Sequence, residues 1–193
     1  VSSVVNMDPR WKHPFTAILS GPTGSGKTVF TFEFIREAAN MINPPVEKIM
    51  YCFSEYQAVF NEYPDGTFHE RLTDISQLDG QHRTLLIIDD LMSETNDSVS
   101  NIFTKVSHHR NVSVMYLTQN LFYKSKQTRT MSLNAHYIVL FKNPRDAMQI
   151  STLGRQMYPG QNKFLVEAFK NEKKKMKLDF KNLCTKKHFL DVA

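Results

Sequence analysis

One eight-residue stretch restricts the fold of this chain more than any other feature: residues 21–28 read Gly-Pro-Thr-Gly-Ser-Gly-Lys-Thr. The apolar run 15–20 before it has the length and composition of a buried strand, and residues 29–39 after it place apolar side chains at helical spacing. Glycines let the backbone curl so that successive N–H groups point inward. A helix that begins there directs its positive dipole end to the same point. The stretch therefore predicts a strand–loop–helix unit that holds an anion.

The same stretch matches the pattern G-x-x-x-x-G-K-[ST], which is the phosphate-binding loop (P-loop) of nucleoside triphosphatases. In this motif the lysine reaches the β- and γ-phosphates and the last hydroxyl ligates Mg²⁺, so these are the predicted roles of Lys27 and Thr28. The flanking strand and helix make a chance glycine-rich loop the poorer interpretation. The predicted nucleotide-binding residues are Gly21, Pro22, Thr23, Gly24, Ser25, Gly26, Lys27 and Thr28.

A second apolar run, the four residues 85–88 after Thr84, is followed by two carboxylates, Asp89 and Asp90. An uninterrupted apolar run is typical of a central parallel strand that is buried on both faces. Ligands of such sheets bind beyond the carboxyl ends of the strands. The run therefore predicts a Walker B element, in which Asp89 holds the magnesium hydration shell and Asp90 polarises the attacking water.

Three further runs, 48–53, 112–117 and 135–141, are predicted strands. Interleaved with helices, they predict an α/β three-layer sandwich with a mainly parallel central sheet, which is a P-loop NTPase fold. The strand 48–53 lies between the P-loop and the Walker B strand, as in the additional-strand, catalytic-carboxylate branch of P-loop ATPases. No N-K-x-D guanine-reading motif is present, which favours ATP over GTP.

Gln119 follows the fourth predicted strand, and we expect it beside the Walker B element. A sensor residue at this position hydrogen-bonds the γ-phosphate or the attacking water. The alternative is a loop glutamine without a catalytic role.

Length and charge bound the domain organisation. The chain has 193 residues, 41% hydrophobic and 22% charged, which suits one soluble domain with a sizeable core. We predict a lead-in at 1–14, an ATPase domain at 15–160 and a basic helix and tail at 161–193. The tail carries nine lysines against four acidic residues, and so holds the whole net charge of +5. It indicates a polyanionic partner or, alternatively, a solvated terminus.

Targeting and redox signals are few. The sequence has no apolar run of about 18 residues or more, so no transmembrane helix is predicted, and no signal peptide is recognised. The two cysteines, Cys52 and Cys184, have no metal-like spacing and predict reduced thiols in an intracellular protein.

Several motifs in a fixed order carry a family resemblance. They are the P-loop, Leu-Ile-Ile-Asp-Asp-Leu-Met at 86–92, His-His-Arg-Asn-Val-Ser-Val at 108–114, Leu-Thr-Gln-Asn-Leu-Phe at 117–122 and Phe-Lys-Asn-Pro-Arg-Asp at 141–146. Together they resemble the genome-packaging ATPases of double-stranded DNA viruses in the FtsK–HerA superfamily, above all the poxvirus type and its relatives in Polinton-like elements, adintoviruses and adomaviruses. The resemblance covers most of residues 15–160.

The resemblance implies an Mg²⁺-dependent ATPase that drives duplex viral DNA into a preformed capsid. It implies a homo-oligomeric ring, pentameric or hexameric, with ATP at the subunit interfaces. The implied partners are double-stranded DNA and a capsid or portal-vertex protein, with no membrane. The implied location is the site of virion assembly inside the infected cell, in either the nucleus or the cytoplasm, and association with the virion stays open.

In such rings an arginine of one subunit stabilises the transition state in its neighbour. The motif position implies Arg110 for this role, with Arg129 as the second candidate and a structural role for Arg110, such as pairing with Asp97, as the alternative. The superfamily carries glutamate where this chain has Asp90. Glu94, one turn onward, is therefore a second candidate for the water-activating carboxylate.

Other elements are predicted with their alternatives. A helix is expected at 93–106, and a mobile loop at 120–134, where Lys124 and Lys126 face DNA phosphates or solvent. Trp11 is expected to cover the edge of the core, or to stack on a nucleotide base.

Three rival functions share the core. A helicase or replication ATPase would separate strands without a capsid, although no extra helicase domain is recognised. A small-molecule kinase would transfer phosphate to a nucleoside rather than to water. A nucleotide-gated scaffold would bind ATP tightly and turn it over weakly at every protein concentration.

Overall fold

The computed structural model describes residues 8–62, 67–72, 78, 80–91, 96–107, 110–120, 126–141, 151–152, 155, 163, 167 and 189–192. The strands are β1 (Trp11–Lys12), β2 (Thr16–Ser20), β3 (Ile42–Asn43), β4 (Lys48–Phe53), β5 (Thr67–Glu70), β6 (Thr84–Asp89), β7 (Val112–Thr118), β8 (Tyr137–Phe141) and β9 (Phe189–Val192). The helices are α1 (Lys27–Arg36), α2 (Ala38–Met41), a 3₁₀ helix (Ala58–Glu62), α3 (Asn96–Asn101), a π-helical continuation of α3 (Ile102–Val106), and α4 (Lys126–Asn134).

The main sheet has seven parallel strands in the order β5-β4-β6-β7-β2-β8-β9, and β1 pairs with β3 in a separate two-stranded sheet. The P-loop strand β2 lies between β7 and β8, so β7 separates it from β6. This order confirms the predicted α/β fold with a mainly parallel sheet. The strand that separates the P-loop strand from the Walker B strand in the sheet is β7. The strand 48–53 (β4), which lies between them in the sequence, pairs with the other side of β6.

Two apolar cores lie on opposite faces of the sheet. Alternate residues of β6 point to different faces, as a pleated strand requires. Leu85 and Ile87 pack with Phe30 and Phe34 of α1. The opposite face of β6 packs with the α3–π segment and α4, through Leu86, Ile88, Val99, Ile102, Phe103 and Met131. All six residues of β6 are buried, because helices cover both faces of this central strand.

Three predictions about the elements are corrected. Of the loop predicted at 120–134, residues 126–134 form helix α4 instead, because buried Met131 anchors a polar segment against the core and tertiary packing outweighs weak amphipathicity. The five predicted strands become seven in the main sheet, since β5 and β9 extend its two edges. The helix predicted at 29–39 begins earlier, at Lys27, and is interrupted at Glu37 between α1 and α2.

Several predictions lie wholly or partly outside the described residues. They concern the start of the helix at 93–106, Lys124, Glu94, Cys184 and most of the basic tail. From Asn96 to Val106 the chain is helical, and Cys52 is a buried free thiol. No helix in the described ranges combines the length and the apolar character needed to cross a bilayer.

Trp11 belongs to the core. Its side chain is 1% exposed, and its ring stacks on Tyr137 with centroids 4.2 Å apart. It also contacts Phe15, the residue before β2, and Phe34 of α1, so that β1 packs against β8, the start of β2 and α1. The role as a core cover is therefore confirmed, and burial excludes stacking of this ring on a nucleotide base.

We expect Trp11→Ala to lower the free energy of unfolding by about 3–5 kcal/mol, because it leaves a large cavity between three aromatic rings. Chemical denaturation monitored by far-UV circular dichroism measures this change. Leu133→Ala is the control, since Leu133 is 68% exposed and its truncation should change the stability by less than about 0.5 kcal/mol. Equal effects of the two substitutions would contradict the packing described for Trp11.

Candidate functional site

The P-loop connects the end of β2 to the start of α1, as predicted. Gly24 and Gly26 have φ angles of 76° and 97°, which lie in the left-handed region that glycine adopts without strain. The Gly21 N–H donates to the carbonyl of Thr118 (3.2 Å) and the Ser25 N–H to that of Pro22 (3.2 Å). These bonds and dihedral angles shape a tight loop at the amino end of α1, where a helix attracts anions.

Lys27 lies with its ammonium group inside the loop. Its Nζ donates to the carbonyl oxygens of Gly21 (2.6 Å) and Pro22 (3.0 Å). Burial lowers the pKa of Lys27, and the charges of Asp89 and Asp90 oppose that change. The three charged groups therefore share one electrostatic environment.

Asp89 ends β6 and is 8% exposed. Because strand residues alternate between faces, it lies on the same face as Leu85 and Ile87, which is the face that α1 covers. Burial raises the pKa of its carboxyl group and so does the charge of Asp90, while a hydrogen bond from Tyr51 and the charge of Lys27 act in the opposite direction.

Asp90 follows β6 with φ 51°, in the left-handed region. Its N–H donates to the carbonyl of Leu117 (3.3 Å), and its Oδ2 accepts a hydrogen bond from Nε2 of Gln119 (2.7 Å). Aspartate and asparagine are enriched in this backbone conformation because their short polar side chains bond locally. This gives a physical reason for aspartate rather than glutamate at this position.

Strand register explains why these groups meet. Ser20 pairs with Thr118, and Leu117 pairs with Asp89, so β2, β7 and β6 end at the same edge of the sheet. The residues that follow these strands are the P-loop, Gln119 and Asp90. Gln119 thus lies beside the Walker B element, where the sequence predicts it.

Arg110 is not part of this group. It precedes β7 and so lies at the amino ends of the strands, whereas the P-loop lies at their carboxyl ends. Its Nη1 donates to the carbonyl of Leu78 (3.0 Å). Arg129 lies exposed on α4. The structure therefore places Arg110 away from the P-loop of the same chain, in a hydrogen bond to a backbone carbonyl.

The P-loop fold implies a magnesium ion, and the residues present fit one. Mg²⁺ commonly binds one or two carboxylates together with substrate phosphates and retained waters, rather than an all-protein cage. Thr28 in the first turn of α1 and Asp89 on the face that α1 covers supply a hydroxyl and a carboxylate. A divalent cation would stabilise the negative charge of Asp89, which burial and the neighbouring charge of Asp90 both disfavour. Among the described residues no group of three or more His, Cys, Asp or Glu side chains is arranged to hold a metal by itself.

Sequence reasoning did not find Tyr51. This residue of β4 is 1% exposed, and its hydroxyl donates to Oδ2 of Asp89 at 2.7 Å. Burial and the nearby Asp89 carboxylate raise the pKa of Tyr51 above its ordinary value, so the hydroxyl keeps its proton. The available signal was a tyrosine within a buried strand, since a buried tyrosine hydroxyl usually has a hydrogen-bond partner.

Comparison with solved structures extends the description of the fold. The genome packaging NTPase B204 from Sulfolobus turreted icosahedral virus 2, in complex with AMPPCP, is similar with a TM-score of 0.51 and 13% identity over 86% of this chain and 90% of that chain. Its complex with ATP-gammaS gives a TM-score of 0.48 and 14% identity over 87% and 90% of the two chains. The structure of C. elegans PCH-2 gives 0.40 and 15% identity over 74% of this chain and 38% of that one.

No protein-family model matches the chain, and no curated protein matches it in sequence. At 13% identity the likeness to B204 shows the fold alone. Together with the strand order and the P-loop geometry, it identifies a P-loop NTPase fold.

Proposed function

We propose that this chain is a motor subunit that hydrolyses ATP with Mg²⁺ and moves double-stranded viral DNA into a preformed capsid. The observation that carries the ATPase part is the meeting of Lys27, Asp89, Asp90 and Gln119 at one edge of the sheet. The packaging part is supported by the order of the sequence motifs. It is also supported by the fold shared with B204, a genome packaging NTPase, over 90% of that chain.

The proposed reaction is in-line attack of water on the γ-phosphate of ATP, which breaks the bond to the β–γ bridging oxygen and releases ADP and inorganic phosphate. A bound magnesium ion would neutralise the charge that develops. The loop amides and Lys27 bind the phosphates, with Lys27 exchanging its carbonyl partners for phosphate oxygens. Thr28 and Asp89 would hold the cation. Asp90 orients the attacking water and accepts its proton, since its carboxylate lies at the end of the Walker B strand. Catalysis then consists of positioning and charge stabilisation.

Gln119 has two roles in this proposal. Its amide holds Oδ2 of Asp90 at 2.7 Å, which fixes the direction of the carboxylate. We assign the same amide a second role as sensor of the γ-phosphate, because Gln119 is exposed and follows β7 at the end of the sheet where the P-loop lies. An amide that switches from the carboxylate to the phosphate would report the presence of ATP.

We further propose that the site is completed by an adjacent subunit of a ring. Arg110 lies at the amino ends of the strands and the P-loop of the same chain lies at their carboxyl ends, so a catalytic role for Arg110 requires a second subunit. An arginine supplied in this way is worth about 10³–10⁵ in rate in measured systems. Arg129, exposed on α4, is the second candidate.

The test is ATP hydrolysis measured against protein concentration, with and without linear duplex DNA. The proposal predicts a rate per subunit that rises as rings assemble and rises further with duplex DNA. A rate per subunit that is constant with concentration and unaffected by DNA would contradict the motor. Tight ATP binding together with such a constant, weak rate would instead identify the scaffold.

A mixing experiment tests the arginine. Arg110→Ala and Asp90→Asn subunits, each inactive alone, should recover part of the activity when mixed, because an intact loop then meets an intact arginine across an interface. Lys27→Ala mixed with Asp90→Asn is the matched control. Both residues belong to the nucleotide site of one chain, so every site in this mixture lacks one of them and no activity should return.

No recovery in the first mixture, with all variants folded and assembled, would contradict a trans role for Arg110. A loss of thermal stability in Arg110→Ala would then assign the residue to its contact with the Leu78 carbonyl. Repeating the mixture with Arg129→Ala tests the second candidate.

A further inference from the structure

We propose that Tyr51 is a positioning residue for the magnesium ligand Asp89, holding one carboxylate oxygen so that the other faces the cation. This inference rests on the proposed nucleotide site and names a residue that the motifs do not include. Tyr51 lies on β4, which pairs with the Walker B strand β6 on the side away from β7, and it is 38 positions from Asp89 in the sequence.

The contact is direct and shielded from water. The Tyr51 hydroxyl donates to Oδ2 of Asp89 at 2.7 Å, and the two side chains are 1% and 8% exposed. A carboxylate has two oxygens, and this bond engages one of them. Oδ1 is then the oxygen presented to a magnesium ion or to its bound water.

Aromatic packing holds the Tyr51 ring in place. Phe32 of α1 stacks on it with centroids 5.5 Å apart and an interplanar angle of 12°. Phe60 of the 3₁₀ helix lies 5.2 Å away and Phe68 of β5 lies 5.8 Å away. A ring enclosed in this way cannot withdraw its hydroxyl without displacing three neighbours.

The same packing connects the two halves of the site. Phe32 is on the helix that begins with Lys27 and Thr28, while Tyr51 contacts the carboxylate at the end of β6. Tyr51 therefore joins the P-loop helix to the Walker B strand through one rigid side chain. This arrangement fixes the orientation of Asp89 relative to the hydroxyl that Thr28 supplies.

A bond of this kind has a measurable consequence. Groups that hydrogen-bond a metal ligand orient it, and their removal typically costs about 10–100-fold in metal affinity or activity. Without the hydroxyl the Asp89 carboxylate gains rotational freedom. Magnesium dependence should therefore change, while the contacts of the loop with the phosphates stay intact.

The experiment compares Tyr51→Phe with wild type by titrating Mg²⁺ against the binding of a fluorescent ATP analogue, and then against ATP hydrolysis. We expect the half-saturating Mg²⁺ concentration to rise by about 10-fold or more in both titrations. Binding of the analogue in EDTA should be unchanged. Tyr56→Phe is the matched control, because Tyr56 is 61% exposed and its hydroxyl donates to Oδ1 of Asn61 (2.6 Å) rather than to a group of the candidate site. It should behave as wild type.

A double-mutant cycle protects the test against a general loss of structure. If Tyr51 acts through Asp89, Tyr51→Phe should have no further effect on magnesium dependence in an Asp89→Asn background. An unchanged Mg²⁺ titration in Tyr51→Phe overturns the inference, and so does a further shift in the Asp89→Asn background. If Tyr51→Phe does not fold, Phe32→Leu takes its place, because it removes the ring that stacks on Tyr51 and should raise the half-saturating Mg²⁺ concentration in the same direction. An unchanged Mg²⁺ titration in Phe32→Leu then overturns the inference.

The two proposals fail separately. Wild type that binds the analogue with Mg²⁺ but does not hydrolyse ATP contradicts the motor and still tests Tyr51 through binding. Wild type that hydrolyses ATP while Tyr51→Phe has normal magnesium dependence contradicts the inference and leaves the motor in place. Wild type that binds no nucleotide overturns both.

Discussion

Lys27→Ala should abolish measurable ATP hydrolysis, with a loss of about 10²–10³-fold or more, which is the usual effect of removing one preorganised group that stabilises transition-state charge. The physical reason is the position of Nζ inside the loop, 2.6 Å from the Gly21 carbonyl and within the field of two carboxylates. Steady-state phosphate release measures the effect. Binding of a fluorescent ATP analogue should also weaken, because the lysine contacts the phosphates in the ground state.

Lys12→Ala is the matched control for this substitution. Lys12 is an exposed lysine of β1, outside the candidate site, and its loss should leave hydrolysis unchanged. Thermal unfolding of both variants shows that they are folded. Hydrolysis by folded Lys27→Ala at the wild-type rate would contradict the assignment of the P-loop as the catalytic nucleotide site.

Asp90→Asn is expected to lower turnover by about 10²–10⁴-fold, the range for the loss of a positioned general base, with little change in ATP affinity. Asparagine is the informative replacement because it keeps the size of the side chain and tolerates the φ of 51°. The amide cannot accept a proton from water, and it also removes the negative charge that Asp90 places near Lys27 and Asp89. Single-turnover hydrolysis and equilibrium binding of the analogue separate the two effects.

A comparison with Gln119→Ala and Glu94→Gln controls this result. Gln119→Ala removes the amide that holds Asp90 at 2.7 Å and should have a smaller effect than the loss of the carboxylate itself. If Asp90→Asn retains wild-type turnover and Glu94→Gln loses it, the water-activating carboxylate is Glu94. In that case the role proposed for Asp90 is wrong.

The parts of the fold that could be predicted from the sequence are those encoded by local patterns. The P-loop, its strand and its helix are predicted from residues that are adjacent in the sequence. The buried strand β6 is predicted from its uninterrupted apolar composition. Asp89 and Gln119 were located because parallel strands end at a common edge. The same rule predicted that the two residues lie near each other and near the P-loop, although the sequence shows no pairwise contact.

The missed features depend on partners distant in the sequence. The Tyr51–Asp89 bond joins residues 38 positions apart, and the Arg110 guanidinium bonds a carbonyl 32 positions away. Helix α4 has a polar sequence, and it is the packing of Met131 that stabilises it. Strand β5 is short and half-exposed, and it is stabilised by pairing with β4. Its sequence therefore has no alternating apolar pattern from which a strand could be predicted.

Translocation along duplex DNA is tested most directly by displacement of a third strand from linear duplex DNA. A triplex-forming oligonucleotide bound at one end of the duplex reports movement along intact double-stranded DNA. We expect wild type to displace the third strand in a reaction that requires ATP and Mg²⁺ and leaves the two duplex strands paired. Lys27→Ala should not displace it. Separation of the strands would indicate a helicase. Hydrolysis of ATP on duplex DNA without any displacement would contradict a translocating motor.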